Sequence, residues 1–300
     1  MGFLSRIVGG VGAAVFAGIT LVAVPSSAQA MAGPARVLVV PCDAAALAAA
    51  IRAANGFGVA RLLLAPYCLY NYATANAPGV ALPVVTGDTT LVGGSNTRIR
   101  RDPSASEAFR VLEVASGATL RVQRVAILGG STAGLGGGIL NAGTVVLEQA
   151  TLSGNSGSNG GAFANNAGAK ATISRSRLNA NSATSVGGGA IINFGTLTVY
   201  RSALTGNSAP INGGALNTQP GGVSHLISST VTTNTSGGLG GGISNLGTTK
   251  LDRVVVEGNT GSGGGGIATG NANVEIRNSI VRNNTPDNCS PLNTIPGCVG

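Results

Sequence analysis

From about residue 120 onward the chain repeats one pattern: a glycine pair, a few apolar residues, a run alternating apolar and polar, and a polar Asn end. The stretch "GGAIINFGTLTVYRSALTGNSA", Gly188 to Ala209, is one copy. "GGGILNAGTVVLEQATLSGNS", "GGAFANNAGAKATISRSRLNANS" and "GGGISNLGTTKLDRVVVEGNT" are others. Within "TLTVYRSAL", Leu197 and Val199 alternate with Thr196, Thr198 and Tyr200, the period of a strand with one apolar face. Each copy closes on apolar-x-x-Asn, at Asn155, Asn181, Asn207, Asn234, Asn259 and Asn284, spaced 26, 26, 27, 25 and 25 residues apart. The earlier "LRVQRVAILGG" fits the same template with Gly130 at the Asn position.

A fixed period of this size marks a repeat architecture. No copy carries a 3.6-residue apolar stripe, which excludes helical solenoids. A propeller blade needs roughly 40 residues, and a leucine-rich repeat needs a Leu ladder that is absent. The pattern therefore predicts an all-β fold, a right-handed single-stranded parallel β-helix with one coil per repeat. Coils stacked about 4.8 Å apart place equivalent residues above one another. Leu152, Leu178, Leu204, Val231, Val256 and Val281 are expected to form one internal stack. The repeated Asn would bond its counterpart in the next coil, as stacked amides do, and the Gly-Gly pairs would supply positive-φ corners.

Both ends of such a stack need covers. "CDAAALAAAIRAANG", Cys42 to Gly56, reads as a short N-terminal capping helix, with Asp43 as N-cap, Leu47, Ile51 and Ala54 on one face, and Asn55-Gly56 as its end. "RLLLAPYCLYNY" follows as the first strand, and "DNCSPLNTIPGCVG" as a closing loop. The expected organisation is residues 1–30 a signal peptide, 31–61 an N-terminal region with the capping helix, 62–285 the β-helix, and 286–300 a disulfide-closed cap loop.

The leader reading rests on one Arg, an apolar run of 18 residues from Ile7 to Val24, and Ala28-x-Ala30, the pattern of a secretory signal. An uncleaved anchor is the competing reading, since the run is just long enough to span. No later segment is a transmembrane candidate, so the expected location is secreted or at the cell surface. Four cysteines in an exported chain imply two disulfides. Of the three possible pairings, Cys42–Cys68 and Cys289–Cys298 is the simplest by position. Metal binding is disfavoured because no pair has Cys-x-x-Cys spacing and the single His, His225, lies far from all four.

Composition fits a narrow core: 49 glycines in 300 residues, no Trp, 3% aromatic and 9% charged, yet 43% hydrophobic. Cleavage after Ala30 would remove one of 18 basic residues and none of 10 acidic ones, leaving a net charge of +7. A cationic exported chain favours anionic polymers such as acidic polysaccharide or cell-wall polymer. Export argues against nucleic acid.

The Gly-Gly-Ala/Gly-Ile/Leu starts, as at Gly188-Gly189-Ala190-Ile191 and Gly213-Gly214-Ala215-Leu216, and the apolar-x-x-Asn ends resemble the β-helix repeats of polymorphic outer-membrane proteins. The Cys42 to Asn55 segment resembles the N-terminal cap of secreted bacterial β-helix proteins of pectate-lyase-like fold. The resemblance implies a solenoid that hosts adhesins, polysaccharide lyases, glycoside hydrolases or inert scaffolds. It leaves the choice among them open.

Candidate chemistry is sparse. Glu148 and Asp252 fall on one stack four coils apart, roughly 19 Å, too far for a two-carboxylate hydrolase. Glu275 is read one coil beyond and two template positions further on than that column. No Asp pair on neighbouring coils suits calcium. His225 has Ser224, Ser228 and Ser229 nearby in sequence, which is uninformative in a Ser-rich chain. No catalytic residue, metal ligand or cofactor is assigned. One column does stand out: the position after Tyr200 reads Arg124, Gln149, Arg175, Arg201, Ser228, Arg253, Asn278, all polar and none acidic. Arg124, Arg175, Arg201 and Arg253, with Tyr200 beside them, are the candidate ligand-binding residues, set against the plain reading of outward-facing residues on a β-surface. Arg guanidinium suits carboxylate, sulfate or phosphate. Tyr67, Tyr70 and Tyr72 are either a sugar platform or packing around the cap, the latter favoured.

Overall fold

A computed structural model describes residues 36–271, 273–291 and 294–298. The leader assigned to residues 1–30 lies outside the described residues. The chain is a parallel β-helix. Among the described residues, three long sheets stack ten, nine and eight parallel strands, and a fourth stacks four very short ones.

One coil explains the others. Thr196–Tyr200 lies in the first sheet, and the chain turns at Arg201 into Ala203–Thr205 of the second. It turns again at Gly206 and Asn207, runs through the two-residue strand Ser208–Ala209 of the fourth sheet, and reaches Leu216–Thr218 of the third. Register is kept between coils, so Leu152, Leu178, Leu204, Val231, Val256 and Val281 are paired in sequence. The first five are fully buried, and Val281, near the open end, is half-buried. Thr205 faces the other way, and its Oγ1 lies 3.3 Å from that of Thr232 in the next coil.

The expected amide ladder is present. Each Nδ2 donates to the Oδ1 one coil on, from Asn155 through Asn181, Asn207, Asn234 and Asn259 to Asn284, at 2.9–3.0 Å. The same Oδ1 accepts the backbone N–H of the Asn behind it. A second ladder runs along the end of the third sheet, Asn141 to Asn165 to Asn193 at 2.8 Å per step, and passes to the Ser224 hydroxyl.

The glycine pairs do more than turn the chain. Gly188 has φ 68°, but a Cβ on its neighbour Gly189 would sit 2.2 Å from the Gly214 carbonyl oxygen. A Cβ on Gly187 would lie 2.5 Å from Asn217 Nδ2. The glycine-rich loop is thus folded down on the third sheet. Residues such as Ala164, Ile192 and Asn217, whose neighbours in the strand face the interior, are buried beneath it.

At the N-terminal end, α1 (Ala44–Phe57) is capped by Asp43, whose carboxylate accepts from Ala46 N–H at 2.7 Å. Leu47, Ile51 and Ala54 are buried as expected. The helix passes Asn55-Gly56 and ends at Gly58, φ 78°. Asn55 instead ties α1 to the coils, its amide donating to Val84 O and accepting from Thr86 N–H. Two other expectations need correction. The first strand is β1 (Arg36–Val40), ahead of the helix, and pairs with β2 (Val59–Leu64). "RLLLAPYCLYNY" is β2 plus β3 (Leu69–Tyr72), separated by a corner at Tyr67 and lying in different sheets. Cys42–Cys68 and Cys289–Cys298 are bonded, with Cα separations of 5.5 and 6.3 Å. Cys289–Ser290 adds a last strand to the third sheet. Among the described residues no helix is long and apolar enough to cross a membrane.

Candidate functional site

The arginine column lies at the corner between the first and second sheets, not on a flat β-surface. Arg124, Gln149, Arg175, Arg201, Ser228, Arg253 and Asn278 all have positive φ, between 47° and 55°. Tyr67 and Asn96, at 55° and 54°, extend the same column toward the helix cap. The backbone bond that fixes the corner is the same in each coil: Arg124 N–H donates to Glu148 O, Arg175 to Tyr200 O, Arg201 to Ile227 O and Arg253 to Arg277 O, at 2.9–3.1 Å.

Left-handed backbone costs an L-residue about 1–2 kcal/mol and costs glycine little. The next corner of the coil, after the second sheet, follows that logic in four coils, with Gly129, Gly154, Gly206 and Gly258, while Ala180, Thr233 and Asn283 hold the same positive φ in the others. None of the nine first-corner residues is glycine. Backbone conformation therefore does not explain the arginines there.

Their charges are not equally free. Arg175 is ion-paired with Glu148, and Arg253 with Asp252 at 2.9 Å. Glu148 and Asp252 occupy the column just ahead, so the acids missing from the arginine column stand directly beside it. Arg124 Nε donates to Gly93 O at 3.1 Å. The Arg201 guanidinium lies 4.9 Å from the centroid of the Tyr200 ring, which gives Tyr200 a role in holding Arg201.

Two cations that the sequence reading missed face this column from the second sheet. Arg98 and Arg177 share one column of that sheet with Ala126, Thr151 and Ala203. The corner becomes a groove with two open depressions. One, of about 300 Å³, is lined by Arg98 and Arg124 with Asn96, Thr97, Gln149 and Thr151. The other, of about 330 Å³, is lined by Arg175, Arg177 and Arg201 with Ser202, Ser228 and Thr230. No carboxylate lines either one. The signal was in the sequence, because Arg98 and Arg177 each stand two residues beyond a column member, as in Arg175-Ser176-Arg177.

His225, Lys250 and Glu275 form a row on the outer face of the first sheet, one per coil. Glu275 stands two strand positions ahead of the Glu148–Asp252 column, not beyond it. It pairs with Lys250 at 3.2 Å and with Arg277, and these cations hold its carboxyl below the usual range, Lys250 foremost. Ser224 is fully buried and points away from His225, so the two cannot form a nucleophile and base. Tyr70 and Tyr72 are buried at the cap, donating to Val40 O and Ala44 O. Burial raises both phenols, which stay neutral donors; Tyr67 is the exposed ring of the three. Among the described residues no group of three His, Cys, Asp or Glu side chains gathers as for a metal ion.

Fold and groove together define a parallel β-helix repeat protein with a cationic corner. Comparisons with protein-family models, curated proteins and solved structures found no match.

Proposed function

We propose that this chain is an exported, adhesin-like β-helix protein of pectate-lyase-like type. It binds acidic polysaccharide or cell-wall polymer along the first-corner groove, without turnover. The carrying observation is that nine consecutive left-handed corners hold side chains where glycine would cost less, four of them arginine. The two disulfides and the net charge of the chain support the same reading.

The test replaces Arg124, Arg175, Arg201 and Arg253 by Gln and measures retention on immobilised acidic polysaccharide or purified cell wall. Retention should fall, and that of the parent should weaken as salt rises, because the Debye length shrinks from about 10 Å at 0.1 M to about 3 Å at 1 M. Unchanged retention with an intact circular dichroism spectrum would favour an inert scaffold.

A second reading, a polysaccharide lyase or glycoside hydrolase, has one observation in its favour: the His225–Lys250–Glu275 row beside a depression of about 220 Å³. Release of products from any polysaccharide, abolished by Lys250→Ala, would replace the binding reading with this one.

A further inference from the structure

We infer that the groove holds two separate anion subsites rather than a continuous cationic rail, and that its ligand is a sparsely charged acidic oligosaccharide long enough to reach both. The inference rests on the binding function proposed above and specifies its ligand. The first subsite is Arg98 with Arg124, the second Arg177 with Arg175 and Arg201. Arg98 and Arg177 stand in one column, separated by Ala126 and Thr151. Three coil steps place them about 14 Å apart.

The two subsites have unmet cationic donors. Arg98 Nε–H is shut off from water with no acceptor in reach, so its guanidinium carries an unsatisfied donor at the wall of the first depression. A carboxylate or sulfate in the depression would meet the terminal nitrogens of that guanidinium rather than the sealed Nε–H. Among the described contacts the Arg177 side chain has no ion pair, and Arg201 is held only by the Tyr200 ring. Arg175 is already matched by Glu148, so in the second subsite the free charges are Arg177 and Arg201.

Between the subsites the groove is neutral. Gln149 and Thr151 occupy the intervening coil, and Ser228 and Thr230 follow the second subsite. Amide and hydroxyl groups suit the hydroxyls of uncharged sugar units. They do not suit a nucleic acid strand, which carries a charge on every nucleotide and is tracked by a positively charged groove with stacked aromatics. The spacing of the arginines thus favours acidic sugars separated by neutral hydrogen-bonding units.

The test is a length series. Oligosaccharides of rising length in which a uronate, or a sulfated sugar, alternates with a neutral sugar are titrated against the full chain by calorimetry, with oligo-dT of matching lengths as comparison. Affinity should step up at least tenfold once a ligand reaches from one subsite to the other, about 10 Å from Arg124 and about 14 Å from Arg98 to the coil of Arg177, as expected when a second contact becomes intramolecular. Which series shows the step identifies carboxylate or sulfate as the acidic group. Arg98→Gln with Arg124→Gln, or Arg177→Gln with Arg201→Gln, should each abolish the step while leaving binding of the shortest ligands through the other subsite. Thermal melts establish that each variant is folded. Binding of long polymer with a smooth rise in affinity per unit would overturn the two-subsite inference and leave the binding function standing. Absence of any polysaccharide binding would overturn both. Equal or tighter binding of oligo-dT would also overturn the inference.

Discussion

Asn207 sits mid-ladder, 1% exposed, and four hydrogen bonds meet at its side chain. Its Oδ1 accepts from Asn181 N–H at 3.0 Å and from Asn181 Nδ2 at 2.9 Å. Its Nδ2 donates to Leu178 O at 3.0 Å and to Asn234 Oδ1 at 2.9 Å. Asn207→Ala removes all four, with unequal consequences. Asn181 Nδ2 keeps Leu152 O, and Asn234 Oδ1 keeps the Asn207 backbone N–H. Asn181 N–H has no acceptor left. An orphaned buried donor costs about 1–3 kcal/mol, and each bond lost from a partly satisfied group about 0.5–1.5 kcal/mol. With three such bonds beside the orphaned donor, the sum is about 2.5–7.5 kcal/mol, large for any single site. Asn179 is the internal control, because its side chain faces outward and donates only to the Ser153 hydroxyl. Asn179→Ala should change stability by less than about 0.5–1 kcal/mol. Urea denaturation of both variants measures the difference. Equal effects would refute the view that the ladder, rather than amide content at large, holds the coils together.

Leu204→Asp would bury an unpaired charge in the central stack and disrupt neighbouring coils, whereas Thr205→Asp should be mild; equal loss of the thermal transition would contradict the inside–outside register. Asn217 is fully buried with neither amide atom bonded, so Asn217→Leu should raise stability by about 1–2 kcal/mol in a denaturant melt. A drop would mean that the amide has a partner such as a bound water. The Ser104 hydroxyl first, then the Ser104 N–H and the Asn71 amide, hold the Asp102 carboxyl down to about 2 from an ordinary 3.8. A lowered folded value means that this turn's contribution is complete above about pH 4 and is lost as pH falls toward 2. A carboxyl titration by NMR with its midpoint near 4 would show that the turn is not formed.

Whatever repeats along the coil axis was legible in the order of the residues. Period and alternation gave the inward residues from Leu152 to Val281 and the Asn155–Asn284 ladder, because each coil rests on its neighbour and a one-residue slip would turn every side chain over. The helix cap and both disulfides were legible for a similar reason, being local in the chain. The second ladder was also written there, in the Asn141, Asn165 and Asn193 of "ILNAG", "FANNAG" and "IINFG", but without a coil geometry nothing placed those amides in contact. Contacts across a coil were set by the folding of the chain. The sign of φ at Arg124 and its counterparts bends the chain, and only that bend sets the arginine column against Arg98 and Arg177. Glu148 meets Arg175 from 27 residues away, which no run of sequence displays. β1 precedes the cap because pairing with β2, not hydrophobic period, admits it to the first sheet. Stacking is a one-dimensional property that a period can encode. The pairing of neighbouring columns depends on dihedral angles and side-chain reach, and these exist only in the folded coil.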